Sequence, residues 1–410
     1  MTLRLRGWIG AHPATSVFLL AAAVRAAFVL GHLGEVPQDD AATYDDAGLG
    51  LSRGEGLRFG KHHAFLMPGY PGFLSLSFRL FGHGYEPVQV AQILLGSIVP
   101  VLLYHIGRKS FDRRSGALAG VVGALFYPFI QFVPFLLTEN LFIPVFLASL
   151  LLFLVALRRG GALAWGGAGV ATGLALLVRG QGAGLALACG VASLVQRVPW
   201  GKRLAHSTVF GAAVLATLAP WILRNFLVLG DFVPLTTQGS IEFGVSNCGE
   251  IHDGLFRAED YAPVMDRYAK LDEIEQARRF RADGWSYIRE HPGTFLRWAG
   301  LRMAVFWDVI PIDYFWPYKT LTLVRRILMY LVFALTAAGC VAWWRARPLE
   351  VRALLLVILF YSLPFVFYAS NTYRHRTSID GIHLVLASAG IVALWDWIRM
   401  RRRAGREGEV

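Results

Sequence analysis

Long apolar stretches, separated by short polar connections, repeat along most of the chain. Each is about 18–22 residues long, enough for a helix to cross a hydrocarbon layer about 30 Å thick. The pattern predicts an all-α polytopic membrane protein, a bundle of about ten transmembrane helices. The predicted spans lie near residues 14–33, 86–106, 115–134, 137–157, 162–178, 181–196, 207–229, 327–344, 351–369 and 379–398.

Two polar segments are too long to be simple connections, and basic residues predict the side on which they lie. Arginines and lysines cluster at alternate ends of the spans, as the positive-inside rule expects for cytoplasmic ends. This places both termini in the cytoplasm and residues 34–85 and 230–320 on the outer face. We therefore divide the chain into an N-terminal transmembrane module (1–229, which includes 34–85), the outer-face loop 230–320 and a C-terminal transmembrane module (321–410).

Within the second polar segment, residues 275–307 mix apolar and charged positions at helical spacing. The pattern predicts two helices lying at the membrane interface, the first ending at His291-Pro292-Gly293. Residues 295–310 alternatively form a further short span.

Composition agrees with this class and limits the partners. Hydrophobic residues make up 55% of the 410 positions and charged residues only 17%, well below a typical soluble protein. The net charge of +12 would suggest nucleic acid in a soluble protein. Here the basic residues stand at the ends of spans, so we expect a membrane partner and no nucleic acid.

The densest acid cluster, VPQDDAATYDDAG at 36–48, follows directly after the first span. Runs of charge are usually solvated loops, and we expect Asp45 and Asp46 to face water. Asp40 differs, because it stands where a helix leaves the membrane and partial burial and counter-charges can tune a carboxylate. Asp39 is its neighbour, and Tyr44 follows in a short predicted helix.

Further candidates stand at other membrane boundaries. Glu139 follows Thr138 in PFLLTENLFIP, either as an ordinary residue of a helix first turn or as a functional acid, since ionisable groups at that depth are costly. His62 and His63 precede the turn MPGYPG, which contains Tyr70 and leads into an apolar helix. We interpret the two histidines as structural rather than as ligands.

Several arginines lie within spans or at their predicted outer ends. Each, taken alone, is explained by a side chain that reaches the interface. Together they form a basic outer ring opposite the acidic loop, and guanidinium groups suit phosphate. The ring predicts a membrane-embedded phosphate as ligand. Its members are Arg25, Arg179, Arg224, Arg374 and Arg376.

An ordered set of motifs covers nearly the whole chain. The sequence resembles the GT-C glycosyltransferases, specifically the protein-mannosyltransferase-like branch that includes aminoarabinose transferases. After Arg25, the motifs that carry the resemblance are DDAATYDDAGLGLSRGEGL, MPGYPGFLSL, TENLF, GLALLVRGQG, APWILRNFLVLGDFVPLTTQGS, REHPGTFLRWAGLRMAVFW and TYRHRTSIDGIHLVLA.

The resemblance implies an inverting transfer of a sugar from a polyprenyl-phosphate donor to an unknown acceptor at the outer, periplasmic face of a bacterial inner membrane. It implies that Asp40, four residues before Tyr44, is the catalytic base, and that Glu139 matches the acid of the second outer loop. Arg374 and Arg376 match residues that contact the lipid phosphate. Some relatives bind a divalent metal ion near these acids, but the ligand pattern does not transfer clearly to this chain.

Three other functions fit parts of the pattern. A lipid-linked-glycan flippase or transporter would also use intramembrane arginines, but should carry polar residues near the middle of several spans. A glycan polymerase would not need an acidic loop directly after the first span. An inactive relative that serves as a scaffold would not need to retain Asp40 and Glu139.

Overall fold

The computed structural model describes residues 11–34, 37–251, 254–255, 263–310, 319–369 and 373–407. Helices make up most of this part, and extended pairing there is limited to an isolated bridge between Phe59 and His62. The helices are α1 (Pro13–Leu30), α2 (Asp40–Ser52), α3 (Gly69–Phe81), α4 (Tyr85–Ser110), α5 (Arg113–Leu125), α6 (Glu139–Arg159), α7 (Ala162–Val178), α8 (Gly182–Val195), α9 (Trp200–Leu229), α10 (Gln238–Ser246), α11 (Glu273–Glu290), α12 (Pro292–Phe306), α13 (Lys319–Trp343), α14 (Pro348–Ser362) and α15 (Tyr373–Glu407).

The predicted fold class is confirmed. Seven helical segments in the described ranges are long and apolar enough to cross a membrane, and α7 and α8 are shorter apolar helices. The seven segments are Pro13–Leu30, Tyr85–Ser110, Glu139–Arg159, Trp200–Leu229, Leu323–Trp343, Pro348–Val366 and Arg374–Arg402. The chain is therefore a multi-pass, all-α membrane protein. The basic residues before the first span, Arg4 and Arg6, which contributed to the predicted orientation, lie outside the described residues.

The predicted span 115–134 is wrong in its second half. Helix α5 ends at Leu125, and a single 3-10 turn follows at Tyr127–Phe129. Pro128 has no N–H to continue an α-helix, and it disfavours helical backbone at the preceding residue. The chain between this turn and α6 is nevertheless mostly buried. The Gln92 side chain in α4 satisfies two of its carbonyls, because it donates hydrogen bonds to Val133 (2.8 Å) and Phe135 (3.1 Å).

Successive apolar helices reverse direction through connections at alternating ends. The connections that follow α1, α5, α7, α9 and α14 therefore share one end of the bundle, which we call the site end. The same end carries the helices of the two long polar segments, which are α2, α3, α10, α11 and α12. The helix break at His291-Pro292 is confirmed, because α11 ends at Glu290 and α12 begins at Pro292.

Close helix crossings hold the C-terminal helices together. Where α13 crosses α15, a Cβ atom on Gly339 would lie 2.1 Å from the carbonyl oxygen of Leu386, and one on Gly390 would lie 2.4 Å from that of Leu335. Only glycine permits this approach without movement of a backbone. Small residues commonly allow such contacts in lipid, where dispersion forces replace the hydrophobic effect between helices. The crossing fixes α15, whose first turn enters the site.

Candidate active site

Arg374, in the first turn of α15, joins two carboxylates that come from distant parts of the sequence. Its Nε donates to Glu139 Oε1 at 2.6 Å and its Nη2 to Glu139 Oε2 at 3.2 Å. Its Nη1 donates to Asp40 Oδ2 at 2.7 Å. One guanidinium group therefore links the starts of α2, α6 and α15 at the site end.

A second arginine completes the environment of Glu139. Arg179, in the connection between α7 and α8, donates from Nη1 to Glu139 Oε1. Its Nη2 lies 3.2 Å from His375 Nδ1, which is also 2.9 Å from Gln181 Nε2. Since a guanidinium group only donates, His375 Nδ1 accepts, and the imidazole carries its hydrogen on Nε2. The cluster thus contains two cations and two carboxylates.

Burial differs sharply between the two carboxylates. The Glu139 side chain is 1% exposed, whereas that of Asp40 is 58% exposed. A buried carboxylate is tolerable only when it is paired and hydrogen-bonded, and the two arginines meet that condition. Each acid is also the first residue of its helix, where the helix dipole favours negative charge. Asp40 is therefore the acid of the cluster that is open to water.

Two tyrosines line the cluster on the side of α2 and α3. Tyr44 stands one turn after Asp40 on the same face of α2, and its ring meets that of Tyr70 edge-on at 5.4 Å. The hydroxyl of Tyr70 donates to Gln92 Oε1 at 2.6 Å. Burial raises the pKa of Tyr44 to about 12. At neutral pH the Tyr44 hydroxyl stays protonated, so it is an uncharged polar group beside the cluster and does not act as a base.

The basic ring predicted from the sequence is only partly present. Of its five arginines, Arg179 and Arg374 meet at Glu139, and the other three have different partners. Arg25 is fully buried between helices, where Nη1 donates to the carbonyls of Ala21 and Ala124 at 3.3 and 3.2 Å. Arg25 is thus surrounded by helix backbone and does not contact the two acids.

Arg224 and Arg376 have structural partners as well. Arg224 donates to the carbonyls of His63 and, at 3.2 Å, Leu57, which ties α9 to the first polar segment. Arg376 is fully buried and donates from Nε to Asp380 at 2.9 Å. Although it stands two positions from Arg374, it points into a different ion-pair network.

The structure also locates two histidines and two aspartates named in the sequence analysis. His62 is buried and its Nε2 lies 2.5 Å from Gln276 Oε1 of α11, in keeping with a structural role, and His63 joins the contact with Arg224. Asp39, exposed, precedes α2 with a φ of 50°. Asp46 faces water as expected.

The expectation that Asp45 faces solvent is wrong. Asp45 is buried, and its carboxylate oxygens lie 2.8 Å from His83 Nε2 and accept a hydrogen bond of 2.9 Å from the Tyr85 hydroxyl. His83 stands just before α4 and Tyr85 is its first residue, about 40 positions later in the chain. Asp45 fastens α2 to the start of a span and takes no part in the charged cluster.

The sequence reasoning missed three residues at this site. His375 stands between two arginines that it did single out, and Gln181 stands two positions after Arg179. Glu242, in α10, is half-buried and lies near enough for the charges of Asp40 and Arg179 to affect its carboxyl group. The position of His375 within TYRHRT was a usable signal, but nothing local marks Glu242.

A divalent metal ion is not accommodated by these residues as they stand. In the described part of the chain, no group of three or more His, Cys, Asp or Glu side chains could hold a metal. Glu139 is occupied by two guanidinium groups and Asp40 by one. The free N–H groups of the two arginines suit an anion instead.

Comparison with known proteins gives a family match over part of the chain and a fold over nearly all of it. The sequence model of a family described as dolichyl-phosphate-mannose-protein mannosyltransferase matches residues 62–223. No curated protein sequence matches the chain.

Solved structures match over almost the whole chain. The apo form of the oligosaccharyltransferase from Archaeoglobus fulgidus has a TM-score of 0.60 at 14% identity, covering 98% of this chain and 52% of that one. The archaeal oligosaccharyltransferase AglB from A. fulgidus, in complex with an inhibitory peptide and a dolichol-phosphate, has a TM-score of 0.57 at 14% identity, with the same coverage. ArnT from Cupriavidus metallidurans, bound to undecaprenyl phosphate, has a TM-score of 0.45 at 16% identity, covering 94% of this chain and 78% of that one. The chain spans about half the length of the oligosaccharyltransferase chains, and the likeness to them establishes the fold.

Proposed function

The chain has the GT-C fold of membrane glycosyltransferases, as its ordered motifs predicted, and we propose that it transfers a sugar from a polyprenyl-phosphate donor to an acceptor hydroxyl. The observation that carries the proposal is the bridge that Arg374 makes between buried Glu139 and exposed Asp40. It puts a phosphate-binding cation and a proton-accepting carboxylate side by side at a membrane boundary.

The arginines supply the donor site. The three contacts of Arg374 with Glu139 and Asp40 use three of the five N–H groups that a guanidinium carries. Arg374 and Arg179 are 12% and 13% exposed at their side chains, so both are accessible to a ligand yet shielded from bulk water. In such surroundings they stabilise the charge that develops on a departing phosphate. A polyprenyl tail would lie along the apolar helices below.

Asp40 supplies the acceptor side. As the acceptor oxygen bonds to the anomeric carbon of the sugar, the bond from that carbon to the phosphate oxygen breaks, and the hydroxyl proton passes to Asp40. The attack comes from the face opposite the leaving phosphate, and the configuration inverts. Proton transfer by a positioned side chain typically contributes about 10²–10⁴-fold to such a rate.

Glu139 acts through the two cations. Bound by both arginines, it fixes their positions and balances one of their charges before the donor arrives. It is therefore a positioning residue, whereas Asp40, Arg179 and Arg374 touch the reacting groups. The site end corresponds in this proposal to the outer face of a bacterial inner membrane, with both termini in the cytoplasm.

A reconstituted assay tests the transfer. Purified wild type and Asp40→Asn are added to membranes from cells that lack the gene, and mass spectrometry follows the conversion of glycosylated polyprenyl phosphate to polyprenyl phosphate together with the new glycosidic linkage. We expect Asp40→Asn to be at least about 100-fold slower. Asp46→Asn, an exposed acid of the same helix, is the matched control and should keep the wild-type rate. Movement of the lipid across the membrane without a new linkage would support a transporter and overturn the proposal.

A further inference from the structure

The two carboxylates of the charged cluster hold Arg374 in different ways. Glu139 accepts from both Nε (2.6 Å) and Nη2 (3.2 Å) of Arg374, one hydrogen bond to each carboxylate oxygen. Asp40 accepts a single hydrogen bond, from Nη1 at 2.7 Å. Two parallel hydrogen bonds between a guanidinium and a carboxylate are stronger and more specific than one. The contact with Asp40 is therefore the weaker of the two.

Burial separates the two contacts further. Glu139 is 1% exposed and also pairs with Arg179, so its departure from Arg374 would leave charged groups buried without a full set of partners. The Asp40 side chain is 58% exposed and stands at the first position of α2. An exposed carboxylate exchanges an ion pair for water at little cost. Asp40 is thus the acid that rotation of its own side chain can release from Arg374.

Asp40 occupies the part of Arg374 that a phosphate needs. The Nε and Nη2 groups of Arg374 are directed at buried Glu139, so Nη1 is the group turned to the exposed acid. The two carboxylates also balance the charges of Arg374 and Arg179. An incoming phosphate therefore gains a net attraction only when one carboxylate moves away. Since phosphate accepts the same charge-assisted hydrogen bonds from a guanidinium as a carboxylate does, it competes directly with Asp40.

Resting on the proposed function, we infer that Asp40 and the lipid phosphate compete for Arg374, so that the contact between the two residues closes the donor site when it is empty. The donor phosphate displaces the carboxylate from Nη1 as it binds, and Asp40 is then free to face the acceptor hydroxyl. After transfer Asp40 carries the hydroxyl proton and has no charge with which to displace the phosphate. Once that proton passes to water, the carboxylate pairs with Arg374 again and the bare polyprenyl phosphate is released.

The affinity for a bare lipid phosphate tests this competition without an acceptor or a sugar. Farnesyl phosphate is titrated into detergent-solubilised wild type, Asp40→Ala and Asp40→Asn by calorimetry, at low ionic strength, where charges are least screened. We expect Asp40→Ala to bind about tenfold more tightly, the effect of one unit charge a few Å from the phosphate at a dielectric between water and the protein surface. Asp40→Asn should gain less, because its amide oxygen still accepts from Arg374. Both variants lose transfer activity, so binding and catalysis change in opposite directions.

Matched controls separate the outcomes. Asp46→Asn removes a charge from an exposed position of the same helix and should keep the wild-type Kd. Farnesol has the same tail without the charge and should bind all four proteins equally, and apparent melting temperatures show that each is folded. Equal or weaker binding of farnesyl phosphate to folded Asp40→Ala, or an equal gain for farnesol, would overturn the inference. If farnesyl phosphate binds neither wild type nor any variant, the donor site of the proposed function fails instead.

Discussion

Arg374 and Glu139 stand 235 positions apart in the sequence, yet two hydrogen bonds join them at the starts of α15 and α6. The pair is nearly buried, with the carboxylate 1% and the guanidinium 12% exposed. A second cation, Arg179, shares the carboxylate. The charges of the site therefore stabilise one another in the absence of substrate, and any change to one of them alters the surroundings of the rest.

Arg374→Ala should lower both stability and activity. Removal of one partner of a buried ion pair typically costs about 3–5 kcal/mol. Because Arg179 still neutralises Glu139, we expect the lower part of that range, about 3 kcal/mol. The measurement is the apparent melting temperature of the detergent-solubilised protein.

Two further variants serve as controls for Arg374→Ala. Arg114→Ala breaks the pair with Asp396, in which both side chains are about half exposed, and should change stability by less than about 1 kcal/mol. Arg374→Lys keeps the charge but loses the forked geometry, so it should recover part of the stability and little of the transfer rate. If Arg374→Lys is as active as wild type, the bridging role assigned to Arg374 is wrong.

Asp45→Asn should destabilise the protein, whereas Asp46→Asn should not. The buried Asp45 carboxylate contacts both His83 and Tyr85, and an asparagine, which has one acceptor oxygen instead of two, leaves one of these partners without its acceptor. The expected loss is about 1–3 kcal/mol in the free energy of unfolding. Equal melting temperatures for the two variants would show that the contact with Tyr85 and His83 contributes nothing.

Much of the fold follows from local sequence. Apolar length is enough to locate the spans, because a membrane helix must satisfy its own backbone and face lipid. The end of α5 was missed because residues 126–134 are apolar like a span. Most of them are buried outside an α-helix, and Gln92 of α4 donates to the carbonyls of Val133 and Phe135.

The site was predictable in type rather than in arrangement. Asp40, Glu139, Arg179 and Arg374 were found because ionisable groups at membrane boundaries are costly and need a reason. The same argument selected Arg25 and Arg376, whose partners are backbone carbonyls and Asp380. The pairing of each arginine with an acid depends on contacts between helices that are far apart in the sequence. Local sequence and composition do not predict these contacts.

Gly339→Leu should separate α13 from α15 and reduce activity from a distance. A side chain at this position meets the backbone at Leu386, which cannot move without shifting α15. Forced insertion into a packed interior costs about 1–3 kcal/mol or more. We expect a lower melting temperature together with a slower transfer rate, since the first turn of α15 holds Arg374. Gly211→Leu, with open space around its Cβ position on α9, is the control and should behave as wild type.

The stability of the folded protein should depend on pH through Glu242. Burial raises the pKa of Glu242 from a usual value of 4.5 to about 7; the hydrogen bond from Gln238 and the charge of Arg179 lower it, and the charge of Asp40 raises it. Between these two values the folded state keeps a proton that the unfolded chain has released. The free energy of unfolding therefore falls as pH rises through this window and levels off above about pH 7.

Glu242→Gln removes this titration, and comparison of the two proteins isolates it from the histidines that titrate in the same range. We expect the melting temperature of wild type, relative to that of Glu242→Gln, to decrease steadily from pH 4.5 to pH 7. Glu250 is exposed and paired with Arg267, so the melting temperature of wild type relative to that of Glu250→Gln should not decrease over this window. A difference between wild type and Glu242→Gln that does not change with pH would mean that folding does not raise the pKa of Glu242. The α10 carboxyl group would then be more open to water than its partly buried position indicates.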